Sequence, residues 1–208
     1  MNKEQLKEFL INPNKEQFPF VAKEIINGFI ICKENIRYSF AEVEFYYYGK
    51  DQKDSHTYIR RCKAEEWFFH YSGVDIAFET KEESNIPYQF GGILIRSIIK
   101  HEGEKENELI AGPLRCLQEI FNGCKEFPTI EEKHPRSCHE VGQNTRYGIG
   151  NDRNNYRFFI NDADFDWDCP TKRLVYDKKS VDGKTTISIR EKDIKVKYAA
   201  NPIKTKSE

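Results

Sequence analysis

Methionine is nearly absent from this chain of 208 residues: one Met stands against 15 Phe and 11 Tyr. A core built from aromatic and β-branched side chains favours sheet over a helical bundle. Net charge is just as scarce. The formal value of −1 argues against a strongly basic, non-specific nucleic-acid binder and leaves room for a local basic patch. No apolar run is long enough to span a membrane. The opening MNKEQLKEFL is charged, so no secretory signal is expected. Cys32, Cys62, Cys116, Cys124, Cys138 and Cys169 are therefore read as reduced thiols of a cytoplasmic protein, large enough to fold without disulfides.

Several motifs are missing as well. Without GxGxxG or a P-loop, no helix terminus is set up to cradle a nucleotide phosphate. GxSxG is absent, and Ser55-His56 and Ser72 near His70 are only sequence neighbours, which makes no triad. His134, Cys138 and His139 offer zinc-type donors, but no second cluster completes four ligands. Asp162, Asp164, Asp166 and Asp168 imitate the start of a calcium loop without its central Gly and closing Glu. Both stretches read as loops. No metal and no cofactor are expected, and there is no internal repeat.

What the chain does contain is sheet punctuated by a few helices. Residues 3–11 have the pattern of a short amphipathic helix. A second helix starts near Phe20 and stops at Asn27-Gly28. FIICKENIRYSFAEVEFYYYG reads as two strands around Lys33-Glu34-Asn35, and residues 50–57 as a polar loop. WFFHYSGVDIAFET reads as strand, turn, strand, with the turn at Ser72-Gly73. GGILIRSII is a buried strand. AGPLRCLQEIFNG is a helix with Pro113 in its first turn and Gly123 at its stop. Residues 125–145 read as irregular, and NNYRFFIND as a strand. KTTISIREKDIKVKY alternates like a hairpin preceded by Asp182-Gly183. The expected fold is α+β: a single domain (residues 1–170) with a curved, mainly antiparallel sheet, a protruding aromatic hairpin and surrounding helices. Residues 171–208 are expected to form an extension, a β-hairpin and tail.

Two features invite chemistry. Glu42 and Glu44 lie two apart in a strand of aromatics and so share a face. A glutamate beside aromatic walls loses water, which raises its pKa and suits it to proton transfer. The alternative is a polar surface facing solvent. Arg96 interrupts an apolar strand, and a buried guanidinium needs a partner such as Glu42 or Glu44.

In order, these segments resemble the alkyladenine (3-methyladenine) DNA glycosylases of the mammalian single-domain type. Glu42-Val43-Glu44-Phe45-Tyr46 is similar to the family's E-x-E-A-Y, followed by Asp51 to His56 for its D-x-x-x-H segment. EWFFHYSGVDIAF resembles its aromatic hairpin, GGILIRSI the next strand, LIAGPLRCLQEIF its S-G-P helix and RYGIGNDRNNYRFFI its late R-x-G-I segment. The likeness covers roughly residues 20–161. It departs at Phe45, where the family has Ala, and in a shortened loop after His56.

The resemblance implies base excision from DNA: a damaged purine is flipped out of the duplex and its N-glycosidic bond is cut by water. Glu44 would be the general base and Arg96 would hold it ionised. Tyr46 would stack on the base, with His56 opposite it or on the backbone, and Phe68 or Phe69 as a further wall. Phe78 or Glu79 would stand where the family has a pocket Asn. Tyr71, with Ser72 beside it, would fill the gap in the duplex. Arg60, Arg61 and Lys63 would meet phosphates. The implied partner is duplex DNA containing an alkylated or deaminated purine, bound by a monomer. The alternatives are a silent nucleobase- or DNA-binding protein on the same fold and a hydrolase of small modified nucleosides.

Overall fold

The structure, a computed structural model, describes residues 1–101, 103, 107–165, 167, 170–181 and 184–195, the last two spans by their backbone. By contacts the chain divides into two compact units, Met1–Ala163 and Asp164–Glu208. In chain order the first unit holds α1 (Lys3–Ile11), α2 (Phe18–Gly28), β1 (Phe29–Lys33), β2 (Ile36–Tyr48), β3 (Trp67–His70), β4 (Gly73–Ala77) and β5 (Lys81–Glu83). Then come β6 (Ile86–His101), β7 (Glu108–Ala111), α3 (Pro113–Phe121), β8 (Thr129–Glu132), β9 (Val141–Asn144) and β10 (Arg157–Ile160). The second unit pairs β11 (Pro170–Val181) with β12 (Lys184–Lys195).

Local signals set the helix ends. Asn2 accepts from the Gln5 backbone N–H while the Gln5 side chain accepts from the Asn2 N–H, a reciprocal cap on α1. Pro19 and Pro113 occupy the first turns of α2 and α3, where a missing N–H breaks no helical bond. α2 begins at Phe18 rather than Phe20.

The long strands β2 and β6 form the spine. They pair antiparallel from Arg37↔His101 to Tyr48↔Phe90, with register shifts around Glu42. The other edge of β2 is shared between β1, opposite Ser39 and its neighbours, and β10, opposite Glu42 to Glu44. The other edge of β6 carries β4, β7 and β5. With β3, β8 and β9 outside these, all pairs are antiparallel and the sheet curls into a half-barrel. The α+β fold with a curved antiparallel sheet and an aromatic hairpin is therefore the fold of the chain.

The two faces of the spine differ in chemistry. On one, α1 and α2 cover Val43, Phe45 and Tyr47. Phe45 stacks on Phe18 with ring centroids 4.5 Å apart, and Phe9, Phe78 and Phe158 close around them. The bulky residue at 45 is thus core, filling the space under α2. The other face lies under α3 and carries Glu42, Glu44 and Tyr46.

Two expectations change. The stretch 125–145 is not wholly irregular: it contributes β8 and β9. β8, with sequence TIEE, has no apolar alternation and is extended because it completes the edge of β1. Within KTTISIREKDIKVKY, Lys184–Lys195 is the second strand of a hairpin, not a whole hairpin; its partner is β11, from Pro170↔Lys195 to Val181↔Lys184, and residues 196–198 lie outside the described residues. Asp166, Asp168, Cys169, Asp182 and Gly183 lie outside the described residues.

Gly91 holds the spine together at close range. Its φ is +152°, and a Cβ there would stand 2.1 Å from the Tyr46 carbonyl oxygen, a backbone atom with no freedom to retreat. Gly91→Ala is expected to cost about 2–4 kcal/mol in urea unfolding. Gly150→Ala, with nothing within 4 Å of its Cβ, should stay within about 0.5 kcal/mol.

Candidate active site

A row of side chains crosses the sheet on the α3 face. Cross-strand register places Phe68 (β3), Asp75 (β4), Leu94 (β6), Glu44 (β2) and Arg157 (β10) successively opposite one another. Residues paired in this way share a face. The row links the aromatic hairpin to the paired glutamates.

Glu42 and Glu44 are both 0% exposed. Such charges persist in a protein interior only when paired and hydrogen-bonded. Arg96 lies between them: its Nη1 donates to Glu44 Oε2 at 3.2 Å, and its Nε is 3.3 Å from Glu42 Oε1. Arg157 Nε also donates to Glu42 Oε1, and the Ser97 hydroxyl donates to Oε2 at 2.8 Å. Glu44 takes two further donors. The Tyr46 hydroxyl reaches Oε2 at 2.9 Å, and the Tyr147 backbone N–H reaches Oε1 at 2.7 Å.

Burial raises the pKa of Glu44 above its usual 4.5. The Arg96 charge and the Tyr147 N–H oppose the shift without cancelling it, and Glu42 adds to it. Tyr46 is pushed far up by burial and then by Glu44, so its hydroxyl stays protonated and donates.

The segment after β9 closes the site. Tyr147 lies over the Arg96 guanidinium, 5.2 Å from ring centroid to Cζ. Arg146 stacks on Tyr46 at 4.6 Å and pairs with Asp54 and with Asp152, the latter at 2.8 Å. Burial acts to raise both Asp pKa values, but the Arg146 hydrogen bonds and charge outweigh it and hold both below the usual 3.8. Asp54 in turn accepts from the His56 backbone N–H at 3.0 Å, and His56, its side chain 48% exposed, stands at the rim.

At the other end of the row, Asp75 accepts from Arg60 Nη1 at 2.6 Å and lies 3.0 Å from His70 Nε2. Arg60 lies flat on Phe68, 3.8 Å from its centroid. The β3–β4 turn projects Tyr71, which is 80% exposed, with Ser72 bonded to His70 at 2.8 Å.

The structure therefore brings together Glu44, Arg96, Tyr46 and Phe68 on one face, with His56 at the rim and Tyr71 at the hairpin tip. Other expected contacts sit elsewhere. Phe78 is buried in the α1/α2 core, because it falls on the face opposite Asp75. Glu79 accepts from the Ala64 N–H, and its own N–H donates to Leu10, also on the helix side. Phe69 points to an exposed cluster with Phe121 and Phe127. Arg60 is a buried counter-ion of Asp75, not a surface cation. Arg61 and Lys63 are exposed, Arg61 paired with Glu82. His139 pairs with Asp162, and no group of three metal-type donors occurs among the described residues.

Sequence reasoning missed Arg146, Tyr147, Arg157 and Asp54 as members of this network. The signal available was Arg157, alternating with apolar neighbours in a buried strand like Arg96.

Asp54 and Asp152 supply stability that is present above about pH 3.8, their unfolded value, and lost as pH falls through their lowered folded values. Asp54→Asn is expected to flatten that loss, seen as a weaker fall of the thermal midpoint between about pH 5 and pH 2. An unchanged slope would remove Asp54 from the acid-sensitive set. No protein-family model, curated protein or solved structure matches this chain, so the site stands on its own geometry.

Proposed function

We propose that this chain hydrolyses the N-glycosidic bond of an alkylated or deaminated purine flipped out of duplex DNA, with Glu44 as general base. The observation that carries the reading is the Glu44 carboxylate. It is anchored by Arg96 and by the Tyr46 hydroxyl, in a row that leads to a hairpin tipped by the exposed Tyr71. Desolvation beside aromatic rings tunes a carboxylate for proton transfer.

In the reaction, the C1′–N bond breaks as water adds to C1′. Glu44 takes a proton from that water; a cationic alkylated base departs as the neutral base, and a neutral deaminated base departs as an anion that takes up that proton through solvent. The Arg96 charge opposes the effect of burial on Glu44 and so favours its ionised form before the step, and the carboxylate balances positive charge building on the sugar. Tyr46 and Phe68 offer aromatic surface to the flipped base. Tyr71 occupies the gap that the base leaves behind. The exposed Lys63, and Arg61 by exchanging its Glu82 pair, would meet phosphate.

A second reading has its own observation. Glu44 is wholly buried, and the Tyr147 N–H occupies its Oε1. If that segment stays closed when a nucleobase binds, the protein recognises a base without cutting it.

Base release from methylated duplex DNA separates the two. Glu44→Gln is expected to lower the rate by about 10²–10⁴ in a chain that still folds, with a lower unfolding midpoint because the buried Arg96 loses its carboxylate partner. Tyr71→Ala is expected to weaken turnover of duplex substrate and to leave free nucleosides unaffected. Full base release by Glu44→Gln removes Glu44 from the chemistry. Tight binding without release by the wild type selects the second reading.

A further inference from the structure

On the face of β2 away from Tyr38, a separate set of reactive side chains meets. Arg37 and Ser39 share that face, being two apart on the strand. His101 lies directly opposite Arg37 on β6, and Lys133 follows β8. With Ile30 and His134 they line an open depression of about 450 Å³.

The polar atoms form one directed chain. Lys133 Nζ donates to Ser39 Oγ at 3.0 Å and to Ser137 Oγ at 2.6 Å. Ser39 Oγ lies 2.8 Å from His101 Nε2, and His101 Nδ1 lies 2.7 Å from Asn107 Oδ1. A carbonyl oxygen only accepts, so the imidazole proton sits on Nδ1 and Nε2 accepts from Ser39. The Lys133 and Ser39 donors therefore run in series toward His101.

Lys133 is set apart from an ordinary surface lysine by its partners, which are two hydroxyls and no carboxylate. Glu131 and Glu132, on the same depression, are turned to the Lys3 ammonium and backbone N–H respectively. Burial lowers the Lys133 pKa with no anion to oppose it, the condition under which a lysine becomes a nucleophile. Arg37 donates to Cys32 Sγ at 2.8 Å. Sulfur is a weak acceptor, which leaves the guanidinium fork open to a carboxylate.

We propose that Lys133 forms a Schiff base with a small α-oxo carboxylic acid whose carboxylate is held by Arg37. The Lys133 ammonium passes a proton through Ser39 to His101 Nε2, and the free amine adds to the keto carbon. The nitrogen of the adduct passes a proton to its oxygen, giving a carbinolamine. The hydroxyl leaves as water with the proton returned by His101, giving the protonated imine. One water is released, and no electrons are exchanged.

The test is reductive trapping on the full chain. Pyruvate with cyanoborohydride should place a carboxyethyl group on Lys133 about tenfold faster than on the exposed Lys63 or Lys125, as located by peptide mass spectrometry. Lys133→Arg should abolish that adduct. Arg37→Gln, at an exposed position, should cut labelling by pyruvate while leaving labelling by acetaldehyde, which has no carboxylate. Labelling of Lys133 no faster than of Lys63 and Lys125 would overturn the proposal, as would pyruvate labelling indifferent to Arg37→Gln.

Discussion

Two carboxylates fully withdrawn from water on one face of β2 demand positive charge from the elements around them. Arg96 from β6 and Arg157 from β10 supply it, and the site follows from that requirement. Removing either guanidinium would leave a carboxylate uncompensated, whereas in the intact set every oxygen of the two carboxylates accepts a hydrogen bond. The same pairing ties three neighbouring strands at the point where β2 exchanges β1 for β10 along its edge. The irregular register around Glu42 coincides with this junction, as do the two arginines. The polar network and the curl of the sheet are thus parts of one arrangement.

The division of labour between faces explains the sequence FAEVEFYYYG. Val43, Phe45 and Tyr47 belong to the aromatic core under α2, and Glu42, Glu44 and Tyr46 to the charged face. Phe45 therefore does not crowd the glutamates. Within the charged face, Glu42 has two arginines and a serine, the environment of a structural counter-ion. Glu44 shares Arg96, and its other donors are a tyrosine hydroxyl and one backbone N–H from the segment at residues 145–156. Its protection from water depends on that segment. An inert ion pair and a base able to reach substrate differ by whether the segment releases Glu44.

Much of the fold was legible because α2, β2, β6 and α3 are strongly patterned, with clear stops at Gly28 for α2, Gly49 for β2 and Gly123 for α3. Short strands were legible only where apolar, as in β3, β4 and β10. β5, β7, β8 and β9 have three or four residues each, several of them charged, and are extended because a neighbouring edge offers hydrogen bonds. In the site, the pairing of Arg96 with the glutamates could be read from the cost of burying a lone guanidinium. The Tyr147 contact could not: it crosses 103 residues of chain and uses a backbone N–H, which has no residue signature. Phe78 was misplaced for a different reason. Adjacent strand residues point to opposite faces, so a pocket position inferred by alignment fails when the register is off by one. Arg60 looked like a surface cation in IRRCK, yet Asp75 and the Phe68 ring had already claimed it.

The proposed role of Glu44 requires burial to outweigh the Arg96 charge at its carboxyl. A carbon-13 NMR titration of the Glu44 side-chain carboxyl in the wild-type protein measures this directly. The expected midpoint lies above the ordinary 4.5. A midpoint at or below that value would contradict that role, by showing that Arg96 dominates and that Glu44, like Glu42, serves the sheet as a counter-ion.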